Sequence, residues 1–586
     1  MPTLDDRTRK RLRAHLRVLY GPGVAEATAG RLETLLTRHL PAPPGPEGAP
    51  FDETDVVLIS YADQIRDPAM PPLAGLHRFL STYVGEAISS VHLLPFFPAT
   101  SDDGFAVRFY EVVDPAVGQW RDIVRLGADY KLVFDAVVNH TSASNPWFVR
   151  FLRDDPAFGG FYRTADPEAD TDSVTRPRTS PLLTPFAKAN GDVAWVWTTF
   201  SPDQVDLDYG NPEVLLAVTE LLLTYVGYGA RTLRLDAIAY LWKRLSTSCI
   251  HLPETHEVIR LWRTVLDLVA PGTLVLTETN VPHAENVSYF GNGDDEAHLV
   301  YQFPLAPLVL SAFHLADTTT LQEWAAGLSV PSSSTSYLNF LGSHDGVGLR
   351  PAEGLLTPAE ISQLCDLARA HGGGVSYKTD ASGDLSPYEL NTVYFDALTE
   401  LDSAEPQHTQ VARFLSAQSI LLALPGVPAI YMQGLLGMRN WLEGVERTGR
   451  LRSINRRKFE LAELESVLSD TDSLQHEVFF ALLDRINVRT HERCFHPNGE
   501  QRLLATDGNV LAFERWDPCG SAKVICLHSV TGRPQTLALC PEDGLTARGQ
   551  LVDLCGGPPC AVDDDGTLHV GVPGYGVRWL RTATPD

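Results

Sequence analysis

RTLRLDAIAY (residues 231–240), TLVLTETN (273–280) and YLNFLGSHD (337–345) are three apolar runs that read as buried β-strands, and each carries an acid at or near its end. The acids are Asp236, Glu278 and Asp345. A carboxylate at the mouth of an oily strand is costly unless it is hydrogen-bonded, paired or used in chemistry. Three in chain order, each beside a polar neighbour (Arg234, Asn280, His344), point to one site assembled from several strands.

Five more runs of the same kind surround them: DVVLISYA, SVHLLPFF, KLVFDAVVNH, LVYQFPL and GVPAIYMQ. Most are separated by segments of helical periodicity, such as PEVLLAVTELLLTYVGYG and THEVIRLWRTVLDLVAPG. Near-continuous apolar strands alternating with helices predict an α/β fold, a closed parallel TIM (β/α)8 barrel. The three acids close the fourth, fifth and seventh runs, at the face where such barrels carry their active sites. Two connections are too long for simple loops: about 141–205 after the third strand and 346–406 after the seventh. They read as inserted loop subdomains. From about residue 501 to 586 the pattern changes to short strands with turn signals, predicting a C-terminal antiparallel β domain. At the other end, residues 1–48 read as an extension of two helices broken at GPG, closed by the Pro-rich linker LPAPPGPEGAP. The barrel is thus expected over 49–500.

The chain has 586 residues and a formal net charge of −26, which argues against nucleic acid and anionic membrane surfaces as partners. The charged start MPTLDDRTRKRLRAHL has no apolar signal core, and no run approaches the ~18 residues of a membrane span, so a cytoplasmic protein is expected. Its eight Cys form no CxxC pair and match no zinc spacing, which predicts reduced thiols; the motif beside Asn139 is short for a calcium cage, which needs several oxygens, so no metal is expected, and no cofactor. A monomer or homodimer is expected.

Two carboxylates sharing a site can cleave a glycosidic bond, one attacking the anomeric carbon and the other protonating the leaving oxygen. Asp236 lies two residues after Arg234, so both side chains share a face and the guanidinium favours an ionised nucleophile. Glu278 sits among Thr277, Thr279 and Asn280 with no adjacent cation, which suits a general acid. Asp345 follows His344, a pair able to grip sugar hydroxyls. Asp135, Asn139 and His140 close the third strand, SDDGF with Asp102 and Phe105 follows the second, and Arg456 in INRRKF lies beyond the eighth.

DAVVNH, RLDA, TETN and GSHD resemble, in order and strand position, the signature segments of the α-amylase superfamily, glycoside hydrolase family thirteen. LPFFPATSDDGF, TFSPDQVDLDYGNPEVL and PGVPAIYMQGLLG resemble its sucrose phosphorylase subfamily. The resemblance implies Asp236 as nucleophile, Glu278 as acid/base and Asp345 as transition-state stabiliser. It implies a glucose subsite of Asp102, Phe105, His140, Arg234, His344 and Arg456. Phosphate or the leaving group would meet Tyr240, Gln204 and the arginines of TRPR, Arg176 and Arg178. The implied reaction is a double displacement in which inorganic phosphate captures the glucosyl-enzyme. The acceptor side departs from sucrose phosphorylases: Glu278-Thr279-Asn280 stands for Glu-Val-His, and Tyr388-Glu389 for Tyr-Gln. TRPRTSPLLTPF, SPYELN and the N-terminal extension resemble instead the glucosylglycerate phosphorylase branch, implying D-glycerate as leaving group. Fructose, fructose 6-phosphate and glycerol are the alternative leaving groups, and a hydrolytic α-glucosidase is a further alternative.

Overall fold

Eight parallel strands close into a barrel in the computed structural model, which describes residues 4–40, 49–379, 384–401 and 403–582. They are β1 (Val57–Ser60), β2 (Ser90–Leu93), β3 (Lys131–Val137), β4 (Ala230–Asp236), β5 (Leu274–Thr277), β6 (Leu299–Tyr301), β7 (Ser336–Asn339) and β8 (Val427–Tyr431). Each pairs with the next and β8 closes on β1, so no edge is left open. Strands covered by helices outside and packed against one another inside are buried on both faces, hence the unbroken apolar runs.

Register positions the acids. On β3 and β4, Asp135 lies opposite Arg234 and Val137 opposite Asp236. On β5, Thr277 lies opposite Leu235. The next residue, Glu278, donates its N–H to the Leu235 carbonyl at 3.2 Å, bringing the two acids level on neighbouring strands. Asp345 differs from the sequence expectation. The strand β7 ends at Asn339, so Asp345 stands on a loop beyond it.

The first insertion holds an antiparallel hairpin, Leu183–Ala187 with Val193–Trp197. It returns through Gln204–Asp206, which pairs with His140–Ser142 at the end of β3. The second carries a helix, Pro358–Ala370, and a three-stranded antiparallel sheet of Val347–Gly348, Leu385–Asn391 and Gly374–Thr379.

Helix α1 (Asp6–Thr37) is broken where the sequence reads GPG: Gly21 takes a φ of 72° and Pro22 follows. Its leucines Leu12, Leu16, Leu32 and Leu36 are buried. The helix lies on two barrel helices, α2 (Pro212–Gly227) and α3 (Pro253–Val269). His15 Nδ1 meets Glu257 at 2.9 Å, and the Tyr20 hydroxyl donates to the Tyr209 carbonyl at 3.0 Å. Most of the Pro-rich linker lies outside the described residues.

The C-terminal region forms a six-stranded antiparallel sheet with a separate two-stranded ribbon, around a core that includes Ile525, Leu527, Leu568 and Leu580. Trp579 is fully buried and donates Nε1–H to His528 at 3.1 Å. Among the described residues no helix is long and apolar enough to cross a membrane.

Candidate active site

Arg234 is the hub beneath the strand-end acids. Its Nη1 donates to Asp236 at 2.8 Å and also to Asp135, while Nε donates to the Tyr301 hydroxyl at 3.2 Å. His92 holds the second oxygen of Asp135 at 2.8 Å. All these side chains are buried, so the guanidinium is fixed by its partners before any substrate arrives.

Asp236 and Glu278 both sit buried in a carboxylate-rich setting. Burial pushes the carboxyl of Asp236 up to about 7 against the opposing pull of Arg234, and pushes Glu278 up to about 7 as well. The charges of Asp236 and Asp345 raise Glu278, and those of Asp135 and Asp345 raise Asp236, because neighbouring negative charges repel. Arg234 donates directly to Asp236, whereas among the described residues Glu278 accepts only the Ala237 N–H, at 3.0 Å. The proton therefore belongs on Glu278, leaving Asp236 the anion. Ala237 takes a left-handed φ of 49°, an unusual conformation for a residue with a side chain, and that turn aims its N–H at Glu278.

Asp345 faces a different environment. Burial alone would raise its carboxyl, but Arg452, Arg456 and Arg234 hold it below the usual range. Arg452 reaches Asp345 at 2.5 Å and Arg456 at 3.4 Å. Its loop is anchored from a turn after β8. Asn455 donates to the carbonyls of Ser343 and Asp345 at 3.0 and 2.9 Å, and Arg456 Nε to that of His344 at 2.8 Å.

One cavity gathers all three acids with Asp102, Phe105, His140, Arg178, Gln204, Asn280, His344 and Tyr388. Phe105 stacks on His344 with ring centres 4.9 Å apart. Burial keeps both His140 and His344 neutral, helped at His344 by the charges of Arg234 and Arg456. His140 Nε2 lies 3.0 Å from the Phe105 carbonyl, so this nitrogen carries the proton. An outer chamber continues from the cavity, bounded by Asp102, Arg178, Glu389, Arg452 and Arg456 and reaching Tyr377 and Arg450. Arg456 pairs there with Asp103 and lies 3.7 Å from Asp102.

On the acceptor side, Asn280 Nδ2 donates to the Tyr388 hydroxyl at 3.4 Å. Tyr240 packs its ring 5.5 Å from Phe200. Arg178 lies over the rings of Tyr388 and Phe200, at 5.2 and 5.9 Å. Arg176 is not brought to the cavity: its guanidinium donates to the Ser180 carbonyl within its own loop. Near Asn139, the Lys243 ammonium donates to Asn139 Oδ1 at 2.7 Å and meets Asp206 at 2.9 Å, supplying positive charge to those oxygens from within the chain. No cluster of metal-ligating side chains occurs among the described residues.

Sequence reading missed Arg452, Phe200, Tyr301 and His92. Tyr301 and His92 lie within recognised strand runs, so strand position could have flagged them. Arg452 and Phe200 lie in irregular segments with no period to read.

Residues 80–347 match the α-amylase catalytic domain. A glucosylglycerate phosphorylase of Allomeiothermus silvanus is 46% identical over 548 residues, 94% of this chain and 97% of the relative. The chain belongs to the α-amylase superfamily, in its sucrose-phosphorylase-like clade. A second glucosylglycerate phosphorylase of the clade, from Spirochaeta thermophila, is 43% identical over 97% of this chain and 98% of its own length. The crystal structure of sucrose 6F-phosphate phosphorylase from Thermoanaerobacter thermosaccharolyticum shares the fold, with a TM-score of 0.71, 23% identity, and coverage of 89% of this chain and 98% of that one. As a member of this clade the chain is an enzyme of retaining, phosphorylase-type glucosyl transfer.

Proposed function

We propose that the enzyme phosphorolyses 2-O-α-glucosyl-D-glycerate, giving α-glucose 1-phosphate and D-glycerate. The observation that carries the acceptor assignment is a guanidinium in the catalytic cavity, that of Arg178, without a carboxylate partner among the described ion pairs. An acidic protein that handles two anions in turn, phosphate and glycerate, needs such a cation where the leaving group departs. The two relatives named glucosylglycerate phosphorylase, similar over nearly their whole lengths, support the same substrate.

In the first step Asp236 attacks the anomeric carbon, the bond to the glycerate oxygen breaks, and Glu278 gives that oxygen its proton. In the second, a phosphate oxygen displaces Asp236 and gives its proton to Glu278, restoring the enzyme. Two inversions give net retention. Asp345, held anionic by Arg452 and Arg456, steadies the positive charge that develops on the sugar. Asp102 and Arg456 would hold the far hydroxyls, His140 and His344 the nearer ones, and Phe105 the sugar face. Asn280, Tyr388, Glu389, Tyr240, Gln204 and Arg178 would frame the leaving group and phosphate.

The test supplies α-glucose 1-phosphate with D-glycerate, glycerol, fructose or fructose 6-phosphate and measures phosphate release. Release with D-glycerate exceeding the others supports the assignment. Activity with fructose and none with glycerate refutes it.

A further inference from the structure

Two guanidiniums line the catalytic cavity, Arg178 and Arg452, and they are in opposite states. Arg178 donates to the Pro177 carbonyl at 3.3 Å and packs against two rings, with no carboxylate in ion-pair range among the described residues. Arg452 is consumed by two acids. It pairs with Asp345 at 2.5 Å and grips both oxygens of Glu389, through Nε at 2.8 Å and Nη2 at 2.7 Å. Such a forked pair is strong and directional. Asn391 donates to Glu389 at 2.8 Å and pins the carboxylate in place. Burial would raise the Glu389 carboxyl, but Arg452 outweighs it and keeps the group ionised.

We propose that Glu389 acts through Arg452: it cancels Arg452 as an anion site, so that phosphate and the acceptor anion meet Arg178 alone, while Arg452 positions Asp345. The proposal rests on the phosphorylase reading and deepens it. A second uncompensated guanidinium would hold each anion too firmly to release it promptly, and a phosphorylase must release one before it binds the other. Arg452 and Glu389 are thus positioning residues, set apart from the groups that react.

Exchange of labelled inorganic phosphate into α-glucose 1-phosphate is the assay, because it needs only the glucosyl-enzyme and no acceptor. Glu389→Gln keeps the shape and removes the charge. The KM for phosphate in exchange is expected to fall about tenfold, with slower turnover as the anion leaves late. In an Arg452→Gln background the same substitution is expected to leave that KM unchanged, since the effect passes through Arg452. Asn391→Ala, which loosens Glu389 without altering its charge, is expected to shift the KM in the same direction by less. An unchanged phosphate KM in folded Glu389→Gln, or an equal shift with Arg452 absent, overturns the proposal. Failure of the glycerate assignment reads differently: wild-type enzyme would exchange phosphate yet form no product from D-glycerate.

Discussion

Replacing Arg234 with lysine tests how the nucleophile is kept ready. The arginine spans three partners, Asp135, Asp236 and Tyr301, with two nitrogens of one planar group. A lysine ammonium on a shorter reach serves one carboxylate well and the others poorly. Asp135 keeps its bond from His92, so the loss falls chiefly on Asp236. Each hydrogen bond to a charged group contributes about 1.5–3 kcal/mol. Losing one such bond, or part of two, raises the barrier by about 2–4 kcal/mol, or roughly 30- to 1000-fold in kcat/KM. The pH profile supplies a readout that misfolding does not mimic. Burial already raises Asp236 to about 7, and Arg234 pulls against it. Weakening that pull raises the group further, so more of the enzyme is protonated and inert at a given pH. The acid limb of kcat/KM must therefore move to higher pH. Initial rates of phosphate release across pH, with a thermal unfolding curve to confirm the fold, make the measurement. A folded Arg234→Lys enzyme within about threefold of wild type, with its acid limb unmoved, would show that Arg234 does not keep Asp236 ionised.

Wild-type kcat/KM is expected to be bell-shaped about neutrality, because the two acids must hold one proton between them: below the lower apparent pKa Asp236 is protonated, above the upper one Glu278 has lost its proton. Glu278→Gln should abolish the alkaline limb along with most activity, which a pH–rate series checks. Asp236→Ala should lose about 10⁴-fold or more in phosphate exchange, since no glucosyl-enzyme can form. Arg178→Ala should raise the KM for phosphate about tenfold or more, whereas Arg176→Ala, bonded within its own loop, should stay within about twofold in the same exchange assay.

The barrel was legible because burial on both faces leaves an unbroken apolar signature, and an acid interrupting it near its end is conspicuous. Asp236 and Glu278 were placed on adjacent strands by run order alone, and the register agrees. Asp345 was harder, since its strand stops at Asn339 and a loop carries it the rest of the way. Arg176 and Arg178 could not be told apart, because an irregular loop has no period to say which side chain turns inward. Arg452 sits among four other arginines in RTGRLRSINRR, and only the fold brings it between Asp345 and Glu389. The turn Ser453–Arg456 that anchors the Asp345 loop is likewise a contact between residues more than a hundred apart in the chain.

The proposed reaction is a retaining transfer of glucose between glycerate and phosphate. Proton NMR of the first product formed from 2-O-α-glucosyl-D-glycerate and phosphate tests it most directly. The predicted result is α-glucose 1-phosphate with an equal amount of D-glycerate and no glucose. First-formed β-glucose 1-phosphate, or free glucose released at a rate independent of phosphate, would contradict it.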